Sequence, residues 1–275
     1  MFDECYYLFN LNPLKDWDVS NGENFSCMFG LCTSLINLNS LKNWNVSNGE
    51  NFYRMFWRCT KLSDIDGLQN WNMANAINLQ GMFTTCQSLT NLYALRNWKL
   101  SKVCNFSYMF FDCTSLTHLM ALENWDVSNG DCFEEMFCDC TSLVYLNGLE
   151  NWSLLKANCL RSMFCGCSSL KDISSLENWN VSKVKYFQGM FSRCKELSNL
   201  GALRHWNVSN GLNFSYMFCD CKLNSTNSLI EWKVKTESYF ENMFEGCFLD
   251  DLNNLKNWGL SEEKIKSMKK IKDTS

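Results

Sequence analysis

Cysteine is the residue type with the greatest chemical potential in this chain, which contains 17 of them. That number could indicate a disulfide framework or a metal centre, because both use several thiols at fixed spacings. Ten of the cysteines instead hold one position of a repeated pattern: Cys5, Cys32, Cys59, Cys86, Cys113, Cys140, Cys167, Cys194, Cys221 and Cys247. One thiol at a fixed place in every repeat is typical of a small buried hydrophobic residue. We therefore predict that these ten thiols are reduced and buried.

The other seven cysteines lie outside that position: Cys27, Cys104, Cys132, Cys138, Cys159, Cys165 and Cys219. Cys132 and Cys159 occupy matching places in successive repeats, as do Cys138 and Cys165, so stacked repeats would bring each pair close. However, the C-x-C spacing of "CDC" and "CGC" differs from the C-x-x-C spacing of zinc and thioredoxin-like sites. The sequence therefore predicts no metal site and no cofactor.

Residues that could perform catalysis are sparse. Only two histidines occur, His118 and His205, and each lies beside variable positions of the repeat, as expected for exposed polar residues. The sequence has no glycine-rich phosphate loop, no H-E-x-x-H pattern and no G-x-S-x-G pattern. Asp and Glu are plentiful, but carboxylate pairs arise by chance at this frequency. We predict that the protein is not an enzyme.

Charge and hydropathy argue against two further classes of function. The 25 Lys and Arg residues are interspersed with 29 Asp and Glu residues, for a formal net charge of −4. This balance gives no electrostatic reason to expect a nucleic-acid partner. Apolar runs are only a few residues long, whereas a membrane span needs about 20. The sequence predicts no membrane span, and no signal peptide is visible at its start.

An internal repeat determines the elements that position these residues. Trp marks its period, in steps of 27 and finally 26 residues: Trp17, Trp44, Trp71, Trp98, Trp125, Trp152, Trp179, Trp206, Trp232 and Trp258. A period in this range, with leucines at fixed offsets, is the signature of a leucine-rich-repeat solenoid. Stacked repeats would turn the Met, Phe, Cys, Leu and Trp positions into continuous buried columns. We predict a curved rod of about ten coils of 26–27 residues.

Each coil is expected to combine a short helix with a short strand, which is an α/β architecture. Phe106, Met109, Phe110 and Cys113 recur at i, i+3, i+4 and i+7, a stripe that is typical of a helix. The three-residue spacing of the leucines that follow favours a tight turn into a short strand. Such strands would pair in parallel roughly 4.8 Å apart and line the concave side. The Asn before Trp, as at Asn124, is predicted to form a structural ladder of side-chain amides.

The repeated motif "NF-x-x-MF-x-x-C-x-S-L…L-x-NW-x-V-S" resembles the BspA-like leucine-rich repeats of bacterial surface proteins. It is most similar to a mycoplasma-type branch first described as a domain of unknown function, and the resemblance covers residues 1–258. The segment from Leu116 to Trp125 is slightly longer than its counterpart in that branch. The resemblance implies a leucine-rich-repeat fold at a cell surface, used for adhesion or interaction and without catalytic residues.

The two ends of the chain differ. Residues 1–258 form the predicted solenoid, and residues 259–275 are predicted to be a helical cap that begins after Ser261. Charges that match the dipole of this helix lie at its two ends: Glu262, Glu263, Lys269, Lys270 and Lys272. Met1 occupies a place that interior residues fill in other repeats. We therefore expect the sequence to begin within a repeat of a longer protein; the alternative is a short natural paralogue with a frayed first coil.

A variable position after the third Leu of each coil predicts a binding site. Read along the middle of the stack, it gives three acids flanked by arginines: Arg96, Glu123, Glu150, Glu177 and Arg204. Coils in register would set the carboxylates roughly 5 Å apart, where like charges repel. On this view Glu150→Gln raises the melting temperature. Nearby aromatic and adaptable side chains complete the predicted site: Tyr93, His118, Met120 and Tyr145. The alternative is a solvated acidic patch.

Taken together, these features predict a non-catalytic binding or adhesion module that holds a protein or glycan on the concave strand face. The resemblance implies a location at a cell surface or in the secreted fraction, with the cytoplasm as the alternative. Two other functions remain open. One is a structural or antigenically variable surface spacer without a single ligand, and the other is a cytosolic scaffold for protein–protein interaction.

Overall fold

The structure, a computed structural model, describes residues 1–269. Its coils stack in register, and we number them 1 to 10 by the Trp that each contains. Parallel bridges link one position of successive coils almost from end to end: Asn24, Asn51, Asn78, Asn105, Cys132, Cys159, Tyr186, Asn213 and Tyr239. The predicted leucine-rich-repeat solenoid is therefore confirmed. The local elements differ from the sequence-based expectation: the helical stripe is a ribbon of turns, and the leucine segment has only isolated parallel bridges, Asn37–Asp64 and Tyr145–Asp172, beside short 3₁₀-helices.

The stripe expected to be helical is a ribbon of hydrogen-bonded turns. In coil 2, alternate backbone N–H groups from Phe25 to Leu31 donate to carbonyl oxygens of coil 3 at 2.8–2.9 Å. The remaining N–H groups close i to i−3 turns, such as Met28 to Phe25 at 3.2 Å. Cys27 and Leu31 have φ of 52° and 56°, which reverses the chain direction every fourth residue. An α-helix would use all its N–H groups internally, so this ribbon gives up helical bonds to join the coils together.

The leucine segment forms short 3₁₀-helices where a strand was expected. These helices span Asn12–Leu14, Asn39–Leu41, Asp66–Leu68, Tyr93–Leu95, Met120–Leu122, Ser174–Leu176, Gly201–Leu203, Asn227–Leu229 and Asn253–Trp258. The physical reason is their period, since a 3₁₀-helix has 3.0 residues per turn and places i and i+3 on one side. Leucines three residues apart therefore all face the core. Coil 6 has no such helix, and its chain turns instead at Gly148, with φ of 106°.

The core consists of columns that run the length of the stack. Phe137 stacks between Phe110 and Phe164, with ring centroids 5.6 and 5.7 Å apart. Trp152 lies between Trp125 and Trp179 at 6.4 and 6.3 Å. All these rings are buried. Aromatic contacts of this kind stabilise beyond the area they bury, so each coil is held mainly by its two neighbours.

The repeated Cys and Trp also satisfy the backbone of the preceding coil. Cys59 Sγ donates to the Phe29 carbonyl at 3.1 Å, and Trp125 Nε1 donates to the Leu95 carbonyl at 2.9 Å. Equivalent bonds recur along both columns, which explains why donor-bearing residues hold these apolar places. Nine of the ten repeat cysteines are buried free thiols and Cys5 is half-buried, so the predicted burial is confirmed. Burial raises the pKa of Cys32 to about 12.

The described part of the chain ends in helix α1, Glu262–Ser267. Ser261 Oγ accepts a hydrogen bond from the Lys264 N–H at 3.3 Å, and Met268 is buried against the last coil. The predicted charges Lys270 and Lys272 lie outside the described residues. The boundary between a 1–258 solenoid and a 259–275 cap stays a prediction. No helix within residues 1–269 is long and apolar enough to cross a membrane.

Candidate functional site

Asn and Asp side chains fix the bends of most coils. Asn91 Oδ1 accepts a hydrogen bond from the Tyr93 N–H at 3.1 Å, where the 3₁₀-helix of coil 4 begins. The same bond is made at equivalent positions by Asn10, Asn37, Asp64, Asp172, Asn199 and Asp251. Such a side chain satisfies a backbone N–H that has no partner within the helix. These residues are present because the fold needs them.

The amide ladder predicted before Trp is wrong. Asn124 and its equivalents are exposed, and their side chains make no hydrogen bond within the described residues. A ladder exists at a different Asn, four residues after Trp: Asn48 and Asn75 donate to the Ser20 and Ser47 carbonyls of the preceding coil, both at 2.8 Å. The second position is better placed because the chain there bends without a strand partner.

Coils 5 and 6 depart from the bend pattern at two residues of the predicted site. His118 and Tyr145 replace the bend-fixing Asn or Asp, and both are exposed, Tyr145 by 53%. Neither side chain supplies the carboxamide or carboxylate oxygen that most other coils use, or the hydroxyl oxygen with which Ser225 makes the same bond in coil 9 at 3.1 Å. Their identity therefore does not follow from the requirements of the fold, unlike that of Asn91.

Two other predicted residues lie two positions further along the same bend. Tyr93 and Met120 occupy equivalent places in coils 4 and 5, and their side chains are 62% and 54% exposed. The Arg96 guanidinium lies over the Tyr93 ring, 4.4 Å from its centroid, which holds that ring in place. We call Tyr93, Arg96, His118, Met120 and Tyr145 the central strip. A cavity of about 290 Å³ adjoins it, lined by Tyr93, Arg96 and Asp66 among others.

The acidic residues do not act as one stripe. Glu123 and Glu177 are exposed at the residues that end their 3₁₀-helices. Glu150 is engaged instead: its carboxylate accepts hydrogen bonds from the Gly148 N–H at 2.6 Å and from Ser175 Oγ at 2.9 Å. Partial burial works to raise the pKa of Glu150, but hydrogen bonds from its own backbone, Gly148 and Ser175 outweigh it and lower that pKa. The carboxylate holds the coil-6 turn, which contradicts the expected strain.

Arg204 does not join the other predicted site residues. Its guanidinium pairs with Glu231 of coil 9 at 2.9 Å, and His205 lies beside the same carboxylate at 3.9 Å. All of these groups are exposed, so the interaction contributes little to stability. Tyr93 and Met120 begin 3₁₀-helices, whereas Tyr145 forms a parallel bridge with Asp172. That the predicted residues form a site on the concave strand face stays a prediction.

Sequence reasoning placed Cys132 and Cys159 close together but missed the carboxylate beside them, between coils 6 and 7. One potential ligand atom each from Cys132, Glu134 and Cys159 lies within 4.8 Å of the other two. Ser107 Oγ lies 3.1 Å from Cys132 Sγ, and Arg161 pairs with Glu134 at 3.1 Å. The available signal was the 27-residue spacing of the two cysteines with an acid two residues after the first. A search along the chain for C-x-x-C cannot find a cluster that forms across coils.

Comparison with known proteins gives one family and a set of similar structures. The family described as "Mycoplasma protein of unknown function, DUF285" matches residues 1–92, 63–172 and 142–258. No curated protein matches the chain. An internalin C2 from Listeria monocytogenes is 13% identical, with 82% of this chain and 74% of that chain covered and a TM-score of 0.40. A leucine-rich repeat protein from Bacteroides ovatus is 14% identical, with 80% and 67% covered and a TM-score of 0.34.

Proposed function

We propose that this chain, which belongs to the DUF285 family of mycoplasma proteins, is a non-catalytic module whose central strip binds a protein. The solenoid supplies a rigid support, because its coils are joined by backbone ladders and stacked aromatic columns. A rigid support lowers the entropy lost when a surface is immobilised by a partner.

The observation that carries this proposal is the replacement of bend-fixing residues by His118 and Tyr145. At most other coils an Asn or Asp stabilises the same bend, so these two coils give up a hydrogen bond. In its place they expose side chains of the types that protein interfaces favour, together with Tyr93, Arg96 and Met120. Exposed apolar side chains clustered on successive coils are typical of an interaction surface.

A surface or secreted location and a role in adhesion are the finer parts of the proposal. They rest on the resemblance of the "MF-x-x-C-x-S-L" repeat to BspA-like surface proteins. The sequence leaves two alternative functions open: a surface spacer without a single ligand and a cytosolic scaffold. A glycan is the alternative ligand on the same strip.

Binding to protein and glycan arrays tests the proposal. The triple variant Tyr93→Ala, Met120→Ala and Tyr145→Ala removes three exposed side chains, so its fold and melting temperature should stay close to those of the wild type. We expect its affinity for an array hit to fall at least about tenfold, or more than about 1.4 kcal/mol.

Two exposed hydrophobic residues away from the strip provide a matched control, Ile77→Ala and Tyr216→Ala, at 43% and 42% exposure. These changes should leave binding intact. Equal losses in both variants, or no loss in the triple variant, would reject the strip as the binding surface. A chain that binds no protein or glycan would favour the spacer.

A further inference from the structure

We propose that Cys132, Glu134 and Cys159 form a binding site for a borderline-soft divalent cation of the zinc class, which would join coils 6 and 7. This inference is independent of the central strip. It revises the sequence-based prediction of no metal site, which considered only spacings along the chain.

The fold places both thiols on the same side of adjacent coils. Cys132 and Cys159 are directly paired in the parallel ladder, at the position that Asn51, Asn78 and Asn105 hold elsewhere. Their sulfur atoms and one Glu134 oxygen all lie within 4.8 Å of one another. A tetrahedral zinc ion, with Zn–S of about 2.3 Å and Zn–O of about 2.1 Å, needs ligand atoms roughly 3.5–3.8 Å apart. Small rotations of the side chains reach that spacing, and water would fill the fourth place.

Hydrogen-bond donors already surround the sulfur that a metal would bind. Cys132 Sγ accepts hydrogen bonds from the Cys159 thiol, from Ser107 Oγ at 3.1 Å and from the Glu134 N–H. A metal would take the place of the thiol protons.

Charge balance supports a divalent cation. Two thiolates and one carboxylate carry three negative charges in a half-buried place, which is unfavourable without compensation. Arg161 lies 3.1 Å from Glu134 and supplies one positive charge. A divalent cation supplies the other two, so the occupied cluster is neutral.

A second cysteine pair, Cys138 and Cys165, differs from the proposed site in the position of its arginine. Cys138 and Cys165 bridge the same two coils six residues later, and their thiols also contact each other. There, however, the Arg193 guanidinium lies 3.5 Å from Cys165 Sγ and pairs with Asp139 at 3.0 Å. Arg193 donates directly to a sulfur of this pair, whereas Arg161 pairs with the carboxylate of the first site, so we assign zinc to Cys132 and Cys159 alone.

Titration of the full, reduced chain with Zn²⁺ against a chromophoric chelator tests the site, and Co²⁺ gives a spectroscopic check for thiolate ligands. We expect one zinc per chain. The double variant Cys132→Asn and Cys159→Asn installs the residue that other coils use here, so it should fold. Its affinity should fall more than about 100-fold, beyond the loss caused by removing an outer-sphere partner. Glu134→Gln, which replaces a charged ligand by a neutral amide, should weaken binding at least about tenfold.

The control is Cys138→Ser with Cys165→Ser, which should retain one zinc with unchanged affinity. Zinc bound equally well by the Asn double variant, or lost only in the control, would overturn the assignment. No zinc binding by the reduced wild type would also overturn it.

Discussion

Coils 2–4 and coils 5–7 share one core but differ at the surface. In both regions a column of stacked Phe rings, including Phe56 and Phe137, and the column of repeat cysteines continue from coil to coil. In coils 2–4 the bends are fixed by Asn or Asp, as at Asn91. In coils 5 and 6 that bend holds His118 and Tyr145, and in coils 6 and 7 the ladder position holds Cys132 and Cys159. Because each coil serves as a control for its neighbours, a departure from the pattern marks a residue that the fold does not require.

The largest expected effect concerns the shared core. Phe137→Ala in coil 6 and Phe56→Ala in coil 3 should each lower the free energy of unfolding by about 3–5 kcal/mol, because both rings are fully buried between stacked neighbours. Since coils contact only their neighbours, denaturant unfolding should become multiphasic. A single cooperative transition, or a much smaller loss in one of the two coils, would break the claim that the cores are equivalent.

Thiol reactivity should separate the two classes of cysteine. The Cys159 and Ser107 hydrogen bonds lower the pKa of Cys132, whereas burial raises that of Cys113 well above its usual value. In metal-free native protein at pH 7, Cys132 should react with iodoacetamide more than about 100-fold faster than Cys113, because the thiolate is the nucleophile. The Cys132 rate should fall as the pH is lowered, because the thiol becomes protonated. Mass spectrometry gives both rates, and similar rates would contradict the assigned environments.

Glu150 provides an intermediate effect within the central region. Glu150→Gln should lower the free energy of unfolding by about 1–2 kcal/mol, because its carboxylate holds the coil-6 turn. Glu177→Gln in the next coil is the control and should change stability by less than about 0.5 kcal/mol. Because the folded-state pKa of Glu150 is lowered, its contribution is complete above the unfolded value and is lost as the pH falls. A higher melting temperature for Glu150→Gln would instead support the sequence-based prediction that the three glutamates repel one another.

The solenoid was predictable because the spacings of Trp, Cys and Phe give its period and its buried columns directly. The local conformation was not, since the turn ribbon needs positive φ at residues such as Leu31 and Arg58. That conformation is unfavourable for residues other than glycine, and its cost is offset only by hydrogen bonds to the next coil. The role of Glu150 was equally hidden, because it depends on Gly148 and on Ser175 of another coil.

The central claim is that His118 stands where the fold prefers Asn, and a reciprocal exchange tests it most directly. His118→Asn in coil 5 should gain the bend hydrogen bond and raise the free energy of unfolding by about 0.5 kcal/mol, while Asn91→His in coil 4 should lower it by about the same amount. Equilibrium urea unfolding of both variants beside the wild type measures the two changes. Opposite signs are the predicted result. A loss of stability, or no change, for His118→Asn would mean that His118 is itself structural and would contradict the account.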